Sequence, residues 1–200
     1  MPLSRAFYDR PTLHVAADLI GKVLVHQTAA GQAAGIIVET EAYIGESDPA
    51  CHAAPGPTTR NEPLYGPPGM AYVYLNYGIH YLVNAVTEAE GWPAAVLIRG
   101  LEPLEGEALM RRRRARGSGR PAESFACADL CRGPGNLTRA LGISLKHNLR
   151  DLTRGPLRVE DRSLPSRELA WSPRIGITVG VESHWRCYAR DSVAVSRTKR

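Results

Sequence analysis

Short runs of β-branched and other apolar residues recur along most of the chain and predict a sheet. Two of these runs flank Tyr77-Gly78, and a short glycine-containing connection between strand-like segments indicates the tip of a β-hairpin. The predicted strands are 22–27, 35–43, 71–76, 79–86, 93–100, 175–181 and 189–196.

Helical spacing of apolar residues is confined to fewer segments. Residues 9–19 begin with a capping-type Asp9 and an early Pro11, and Gly21 ends the pattern. Two further helices are predicted over 102–112 and 137–141.

The remaining segments predict loops. Residues 45–69 are rich in Gly, Pro, Asp and Asn, and an irregular connection of this length is usually functional or disordered. Residues 111–120 are basic and predict a solvated loop. Strands outnumber helices and do not alternate with them, so we expect an α+β fold. It would be one domain over residues 1–200, with a mixed, mostly antiparallel sheet, a protruding β-hairpin, peripheral helices and a loose tail after about residue 190.

Composition limits the classes of function. The 200 residues are 44% hydrophobic, which suits one domain, and no run approaches the about 18 apolar residues of a membrane span. Without a signal-peptide pattern at the N-terminus, we expect an intracellular protein that does not bind membranes. The cysteines do not suggest a disulfide framework. A zinc site built from Cys127, Cys131 and the adjacent Cys51-His52 is less favoured than buried free thiols, so no metal is expected.

Charge is distributed unevenly. The net charge is +5, but residues 1–100 carry 5 Lys/Arg against 9 Asp/Glu, and residues 101–200 carry 20 against 11. Such a balance favours an anionic polymer as partner, although a G+C-rich genome would also enrich arginine.

The strand 35–43 carries the first candidate chemistry. Its two-residue period places Ile36, Val38, Thr40 and Ala42 on one face, and Ile37, Glu39, Glu41 and Tyr43 on the other. Two carboxylates and a tyrosine on one face indicate either a solvent-facing side of an antiparallel strand or a site.

Tyrosines provide the second signal. Five of them fall within residues 65–81, whereas the whole chain has two phenylalanines. Aromatic side chains stack on bases, and wedges at loop tips unstack base pairs. The preference of tyrosine for sheets accounts for Tyr72 and Tyr81 but poorly for Tyr77 at the hairpin tip.

Four blocks in this order resemble the alkyladenine (3-methyladenine) DNA glycosylase family: GIIVETEAYIGESDPACHA, TTRNEPLYGPPGMAYVYLNYGIHYLVNAV, VLIRGLEPLEG and CRGPGNLTRALGI. The resemblance runs from about Phe7 to about Val181. Asn136 stands where the family usually has lysine, and after Trp185 the resemblance fades.

The resemblance implies roles for individual residues. Glu41 matches the general base that activates water, with Arg99 and the carbonyl of Ile175 near that water. The residues matched to base binding are Tyr43, His52 and Tyr74, which sandwich the flipped base, and Asn84, which crowds the 2-amino group of guanine. Tyr77 matches the side chain that fills the gap in the duplex, and the further DNA contacts expected are Arg60, Asn61, Tyr72, Ile79 and His80, with Arg60-Asn61 alternatively bracing the long loop.

The sequence therefore predicts a monomeric, cofactor-free glycosylase that removes damaged purines from double-stranded DNA without cleaving the strand. Two alternatives remain open. An O-glycoside hydrolase could use Glu39 and Glu41, because two residues along a strand span about 6.7 Å, near the roughly 6.5–9.5 Å of inverting enzymes. A non-catalytic DNA-binding module would explain the basic half and the aromatics but not the carboxylates. On the glycosylase interpretation, Glu39→Gln should retain activity.

Overall fold

The sheet is built around one long strand, β2, which has neighbours on both edges. The computed structural model describes residues 1–197, and within them the strand order is β3-β4-β5-β2-β1-β6, with β8 added to β2 and β7 to β8. All of the pairings are antiparallel. The strands are β1 (Val23–Thr28), β2 (Gly31–Ile44), β3 (Ala71–Asn76), β4 (His80–Val86), β5 (Ala94–Glu105), β6 (Leu157–Glu160), β7 (Leu169–Ser172) and β8 (Arg186–Ala189).

Helices cover one side of this sheet and complete the main core. The α-helices are α1 (Arg5–Tyr8), α2 (Thr12–Asp18), α3 (Glu107–Ala115) and α4 (Pro134–Leu141), and single 3-10 turns occur at Glu62–Tyr65, Ala122–Ser124, Cys127–Asp129 and Leu145–His147. In α4, Leu137, Ala140 and Leu141 are fully buried in the same cluster as Ile98 of β5. This arrangement confirms the α+β prediction. The helices leave the opposite side of β2 available for polar side chains.

A bulge in β2 changes which residues share a face. Two register shifts relative to β5 flank Glu39. Ile37 packs in the main core together with Ala42, although an undisturbed two-residue period would place them on opposite faces. Val38 instead packs in a separate cluster beneath the C-terminal segment. The prediction that Ile37 shares a face with Glu39 and Glu41 is therefore wrong, because a bulge inserts a residue and reverses the alternation.

The N-terminal two-thirds of the chain follow the predicted pattern with shifted boundaries. The hairpin, the long connection after β2 and the helix around 137–141 are confirmed. The first predicted helix begins only at Thr12, and Asp9 follows the separate turn α1. Residues 102–105 continue β5, since the break to α3 occurs at Gly106, which has a left-handed backbone (φ 75°).

Two predicted strands near the C-terminus are wrong. Residues 175–181 form bends and turns, because Gly176 and Gly180 take positive φ values of 82° and 64° that interrupt an extended chain. The segment 189–196 contributes only Ala189 to a strand, β8. Beyond it, Ala194 is fully buried, so the expectation of a loose tail is wrong for this part of it. The last residues of the predicted tail, 198–200, lie outside the described residues.

The arginines of 111–114 do not form a solvated loop. They lie in α3, and Arg113 donates hydrogen bonds to the carbonyls of Ala140 and Leu141 at the end of α4. Arg114 donates to the carbonyl of Leu130 at 2.7 Å. Basic side chains often satisfy the last carbonyls of a helix in this way. Part of the positive charge of the second half is therefore used to hold the fold together.

The junction between β5 and α3 provides a test of this packing. A Cβ on Gly106 would lie 2.1 Å from the backbone oxygen of Gln32, whereas one on Gly21, also at positive φ (87°), would meet nothing within 4 Å. We expect Gly21→Ala to cost about 1–2 kcal/mol from backbone strain, and Gly106→Ala about 3–5 kcal/mol from strain plus overpacking. Urea unfolding of both variants checks this, and equal losses would contradict the close approach.

Candidate active site

Glu41 lies at the centre of the polar side of β2 and is completely buried. Its Oε2 accepts hydrogen bonds from the Tyr43 hydroxyl at 2.8 Å and from Arg99 Nη1 at 3.2 Å. Its Oε1 accepts one from the backbone N–H of Ile175 at 2.6 Å. The three partners come from β2, β5 and the segment after β7. The carboxylate is therefore held in a fixed orientation.

Burial raises the pKa of Glu41 above its usual value, and this effect outweighs the lowering by Arg99 and by the hydrogen bonds from Ile175 and Tyr43. A base is most effective when its pKa lies close to the working pH. The environment of Glu41 thus suits a general base.

Glu39 is equally buried but has a different environment. Burial raises its pKa, yet Arg99 and Arg186, together with the N–H of Ser196, outweigh that effect and hold the pKa below its usual value. Its Oε1 lies 3.2 Å from Arg99 Nε and 2.6 Å from Arg186 Nε, and its Oε2 accepts from Ser196 N at 2.9 Å. These partners enclose Glu39, which is fully buried and does not line the cavity that opens beside Glu41, so the geometry contradicts the Glu39/Glu41 acid–base pair of the O-glycoside hydrolase alternative.

A cavity of about 400 Å³ opens beside this carboxylate network. All three partners of Glu41, namely Tyr43, Arg99 and Ile175, line it. Further aromatic walls come from His52 and Tyr74, whose ring centroids lie 4.5 Å apart. Ligand pockets commonly have roughly this volume, with apolar walls and a few placed polar groups. The structure thus brings the four residues predicted to bind the base, including Asn84, to one cavity.

Tyr72 and Asn84 hold one side of this cavity in place. The Tyr72 hydroxyl lies 2.9 Å from His52 Nδ1, and its backbone carbonyl accepts a hydrogen bond from Asn84 Nδ2 at 3.0 Å. Tyr72 is only 2% exposed. Its ring forms part of the cavity wall, so its predicted contact with DNA would be made inside the cavity and stays a prediction. Burial lowers the pKa of His52, with a further lowering from Arg60, which favours a neutral imidazole at neutral pH.

The long connection between β2 and β3 carries His52 to the cavity, and Asn61 braces it. The Asn61 Nδ2 group donates to the carbonyls of His52 and Gly56, both at 2.8 Å, and its Oδ1 accepts from Thr58 N. The Asn61 side chain is buried, which favours the bracing alternative over a contact with DNA. Arg60 is exposed, and its guanidinium lies 5.9 Å from the Tyr74 ring centroid.

The β3–β4 hairpin presents an aromatic side chain at its tip. Tyr77 and Gly78 both have positive φ, 49° and 69°, and Ile79 N donates to the Asn76 carbonyl to close the turn. The Tyr77 side chain is 84% exposed and Ile79 is 73% exposed. His80 is also exposed and lies beside Gly135. Left-handed backbone at a bulky residue is uncommon and marks strained positions of functional interest.

The alternative zinc ligands do not come together. Cys51 and His52 lie at the cavity, whereas Cys131 is in the main core. Within residues 1–197, no group of three or more His, Cys, Asp or Glu side chains could hold a metal ion. In the same part of the chain, no helix has the length and hydropathy required to cross a membrane.

Sequence reasoning missed two of the arginines that organise the site. Arg186 pairs with Glu39, and Arg174 forms a buried ion pair with Asp48. Asp48 lies in a glycine- and proline-rich loop and Arg174 beside a proline, which are positions where charge normally indicates solvent exposure. No periodic pattern marks either residue as buried.

A buried carboxylate of raised pKa beside an aromatic-lined cavity is the combination that marks a candidate enzyme active site. The chain belongs to the methylpurine-DNA glycosylase family, whose sequence model matches residues 6–193. Members of this family are DNA glycosylases, hydrolases that act on N-glycosyl bonds, so the protein is an enzyme of DNA repair and the non-catalytic alternative is wrong.

Individual relatives support the same assignment. The chain is 48% identical over 199 residues to a protein of Methanocella arvoryzae, covering 98% of this chain and 96% of that one. It is 52% identical over 170 residues to a protein of Rubrobacter xylanophilus, covering 84% of each chain. It is 46% identical over 199 residues to a protein of Chlorobium phaeobacteroides, covering 98% and 96%. Each is named "Putative 3-methyladenine DNA glycosylase".

The position of Glu39 changes the outcome expected from its substitution. Glu39→Gln leaves two buried guanidinium groups without their shared carboxylate, so we expect a stability loss of about 3–5 kcal/mol and reduced base release instead of retained activity. The matched control is Glu105→Gln on β5, which removes a partly exposed pair with Arg162 and should cost less than about 1 kcal/mol. Urea unfolding and a base-release assay check both, and a silent Glu39→Gln would contradict the network.

Proposed function

We propose that the protein excises alkylated or deaminated purines from double-stranded DNA by flipping the damaged nucleotide into the cavity and hydrolysing its N-glycosidic bond. The proposed substrates include 3-methyladenine, 7-methylguanine, hypoxanthine and ethenoadenine. The observation that carries the proposal is the buried Glu41 carboxylate, whose three hydrogen-bond partners line an aromatic cavity beside an exposed hairpin tip.

A base inside a duplex cannot reach a cavity of this kind without leaving the stack. Flipping costs a few kcal/mol, and least for a weakly paired base. Stacking against Tyr43, His52 and Tyr74 would offset that cost, at about 1–3 kcal/mol for each base–aromatic contact. The exposed Tyr77 ring would fill the gap left in the duplex, with Ile79 and His80 beside it on the same hairpin and Arg60 at the cavity edge.

For a purine that is already cationic, the chemistry requires one base; a neutral base such as hypoxanthine must also take up a proton as it leaves, from solvent in this scheme. Cleavage of a glycosidic bond passes through an oxocarbenium-like sugar. A purine alkylated at N3 or N7 is already cationic and leaves with little acid assistance. Glu41 would then remove a proton from the attacking water, while Arg99 and the Ile175 backbone hold the carboxylate and the water in line. Neither a metal nor a cofactor has a role in this scheme, and no residue in it would cleave the strand.

Selection against normal guanine is proposed for Asn84. Its amide is fixed by the hydrogen bond to the Tyr72 carbonyl and lines the cavity. A fixed polar side chain can reject an added 2-amino group by clash and by leaving donors unpaired.

The proposed enzyme works as a monomer inside the cell. If its source is bacterial, it acts on the DNA of the nucleoid.

Substitution of the proposed base tests the function directly. Incubated without metal on duplexes with a single hypoxanthine, ethenoadenine or 3-methyladenine, the wild type should leave abasic sites. We expect its rate to fall at low pH as Glu41 takes up a proton, with a midpoint above the pKa of an ordinary glutamate. Glu41→Gln should lose about 10²-fold or more in rate yet still bind lesion DNA, because the amide keeps the shape but cannot accept the proton. Normal turnover by this variant would refute the assignment.

The wedge role of Tyr77 has a separate test. Tyr77→Ala should lose about tenfold or more in rate on a duplex lesion and much less on the same lesion in a single strand, because only the duplex has a stack to disrupt. Trp171→Ala is the control, since it removes another partly exposed aromatic side chain on β7, away from the hairpin. Equal losses on both substrates would indicate damage to the fold.

A further inference from the structure

Arg174 and Asp48 form a buried, two-pronged ion pair that the proposed mechanism does not use. Arg174 Nη1 lies 2.6 Å from Asp48 Oδ2, and Nη2 lies 2.8 Å from Oδ1. The side chains are 0% and 1% exposed. Burying two charges is costly and is often no better for stability than packing apolar side chains, so such a pair calls for another reason to be there.

The Asp48 side of the pair fixes the turn that delivers His52. Its Oδ2 accepts from the N–H of Ile44 at 3.2 Å and its Oδ1 from the N–H of Ala50 at 3.1 Å. Its backbone carbonyl accepts from the N–H of Cys51 at 2.9 Å. Asp48 therefore ties the end of β2 to the turn that leads directly into the wall residue His52.

The Arg174 side of the pair supports Tyr43. The guanidinium carbon lies 4.7 Å from the Tyr43 ring centroid and 5.0 Å from that of Trp185. Arg174 also donates to the carbonyl of Ala42 at 3.0 Å. Tyr43 lines the cavity and Arg174 does not, so the guanidinium supports the ring from outside the cavity.

The residue after Arg174 reaches the carboxylate itself. Ile175 donates its backbone N–H to Glu41 Oε1 at 2.6 Å. A backbone donor has no rotamer of its own, so its position depends on what anchors the adjoining residue. Here that anchor is the Arg174 side chain, bound to Asp48 and to the Ala42 carbonyl within β2.

We propose that the Arg174–Asp48 pair is the positioning device of the active site, holding the base-binding wall of Tyr43 and His52 and the Ile175 N–H against Glu41 as one unit. This inference rests on the proposed role of Glu41 as the base. Arg174 and Asp48 are positioning residues and act only through their neighbours.

The pair also affects the charge of Glu41. The groups that face this carboxylate are Arg99 from β5, Tyr43 and Glu39 from β2, Tyr74 from β3, and Arg174 with the Ile175 N–H from the segment after β7. Replacing Arg174 by glutamine removes a nearby cation, leaves the anion of Asp48 uncompensated and loosens the Ile175 hydrogen bond. All three changes favour protonated Glu41, so the acidic limb of the rate profile should move to higher pH.

The experiment is single-turnover base release from a hypoxanthine duplex, measured against pH and enzyme concentration. For Arg174→Gln we expect the midpoint of the acidic limb to move to a pH about half to one unit higher. The maximal rate should fall about tenfold, and the enzyme concentration that gives half-saturation should rise several-fold. Arg174→Lys keeps the charge, so its acidic limb should stay near that of the wild type. Val159→Ala, which removes packing on the distant strand β6, is the control for lost stability.

A double variant keeps the test decisive if Arg174→Gln does not fold. Asp48→Asn with Arg174→Gln leaves no uncompensated charge, yet still lacks the cation and the two-pronged bond, so its acidic limb should also rise. The inference is overturned if the variants match Val159→Ala in pH profile and half-saturation while Glu41→Gln is inactive. Should Glu41→Gln itself turn over normally, the proposed base falls and this inference with it.

Discussion

The paired strands β2 and β5 bury the carboxylates of Glu39 and Glu41 and the guanidinium of Arg99. Much of the structure provides hydrogen-bond partners that compensate for the loss of their hydration. Ionised groups lose their hydration inside a sheet and persist only with full hydrogen bonding. The partners come from distant parts of the chain: Arg186 from β8, Ser196 from the C-terminal segment and Ile175 from the turn-rich segment after β7. The segment after β7 and the C-terminal segment are thus held to β2 in part through these buried charges, together with the pairing of β8 and the apolar cluster around Val38.

The bulge in β2 lets one strand serve two purposes. Before it, Ile37 faces the helices, and after it Ala42 does, so the main core is continuous on both sides of the interruption. Glu39 and Glu41 remain on the polar face, where Arg99 bridges them. Their environments push their pKa values in opposite directions. Two glutamates two residues apart thereby differ: Glu39 is a fixed counter-ion, and Glu41 has the raised pKa that suits the proposed base.

Sequence patterns predicted the structural elements that depend on residues close together in the chain, and little else. The hairpin followed from alternation around a glycine turn, and the family resemblance gave the four residues that line the cavity and are proposed to bind the base. The reversed face of Ile37 could not be predicted, because a bulge depends on pairing with β5. The burial of Asp48 and Arg174 also escaped prediction, because the charge of each is compensated by the other, which lies more than a hundred positions away along the chain. Segment 175–181 has strand-like residues, but Gly176 and Gly180 turn the chain at positive φ.

The charge balance of the buried groups resolves a conflict in the proposed function. A basic surface attracts DNA phosphates, yet the same positive field would repel an alkylated purine, which is itself cationic. Around the cavity, the carboxylates of Glu39, Glu41 and Asp48 are matched by the guanidinium groups of Arg99, Arg174 and Arg186. The buried cluster therefore adds no net positive charge where the base would bind. The faces of aromatic rings attract cations, so the cavity walls can favour a charged base on a protein whose net charge opposes it.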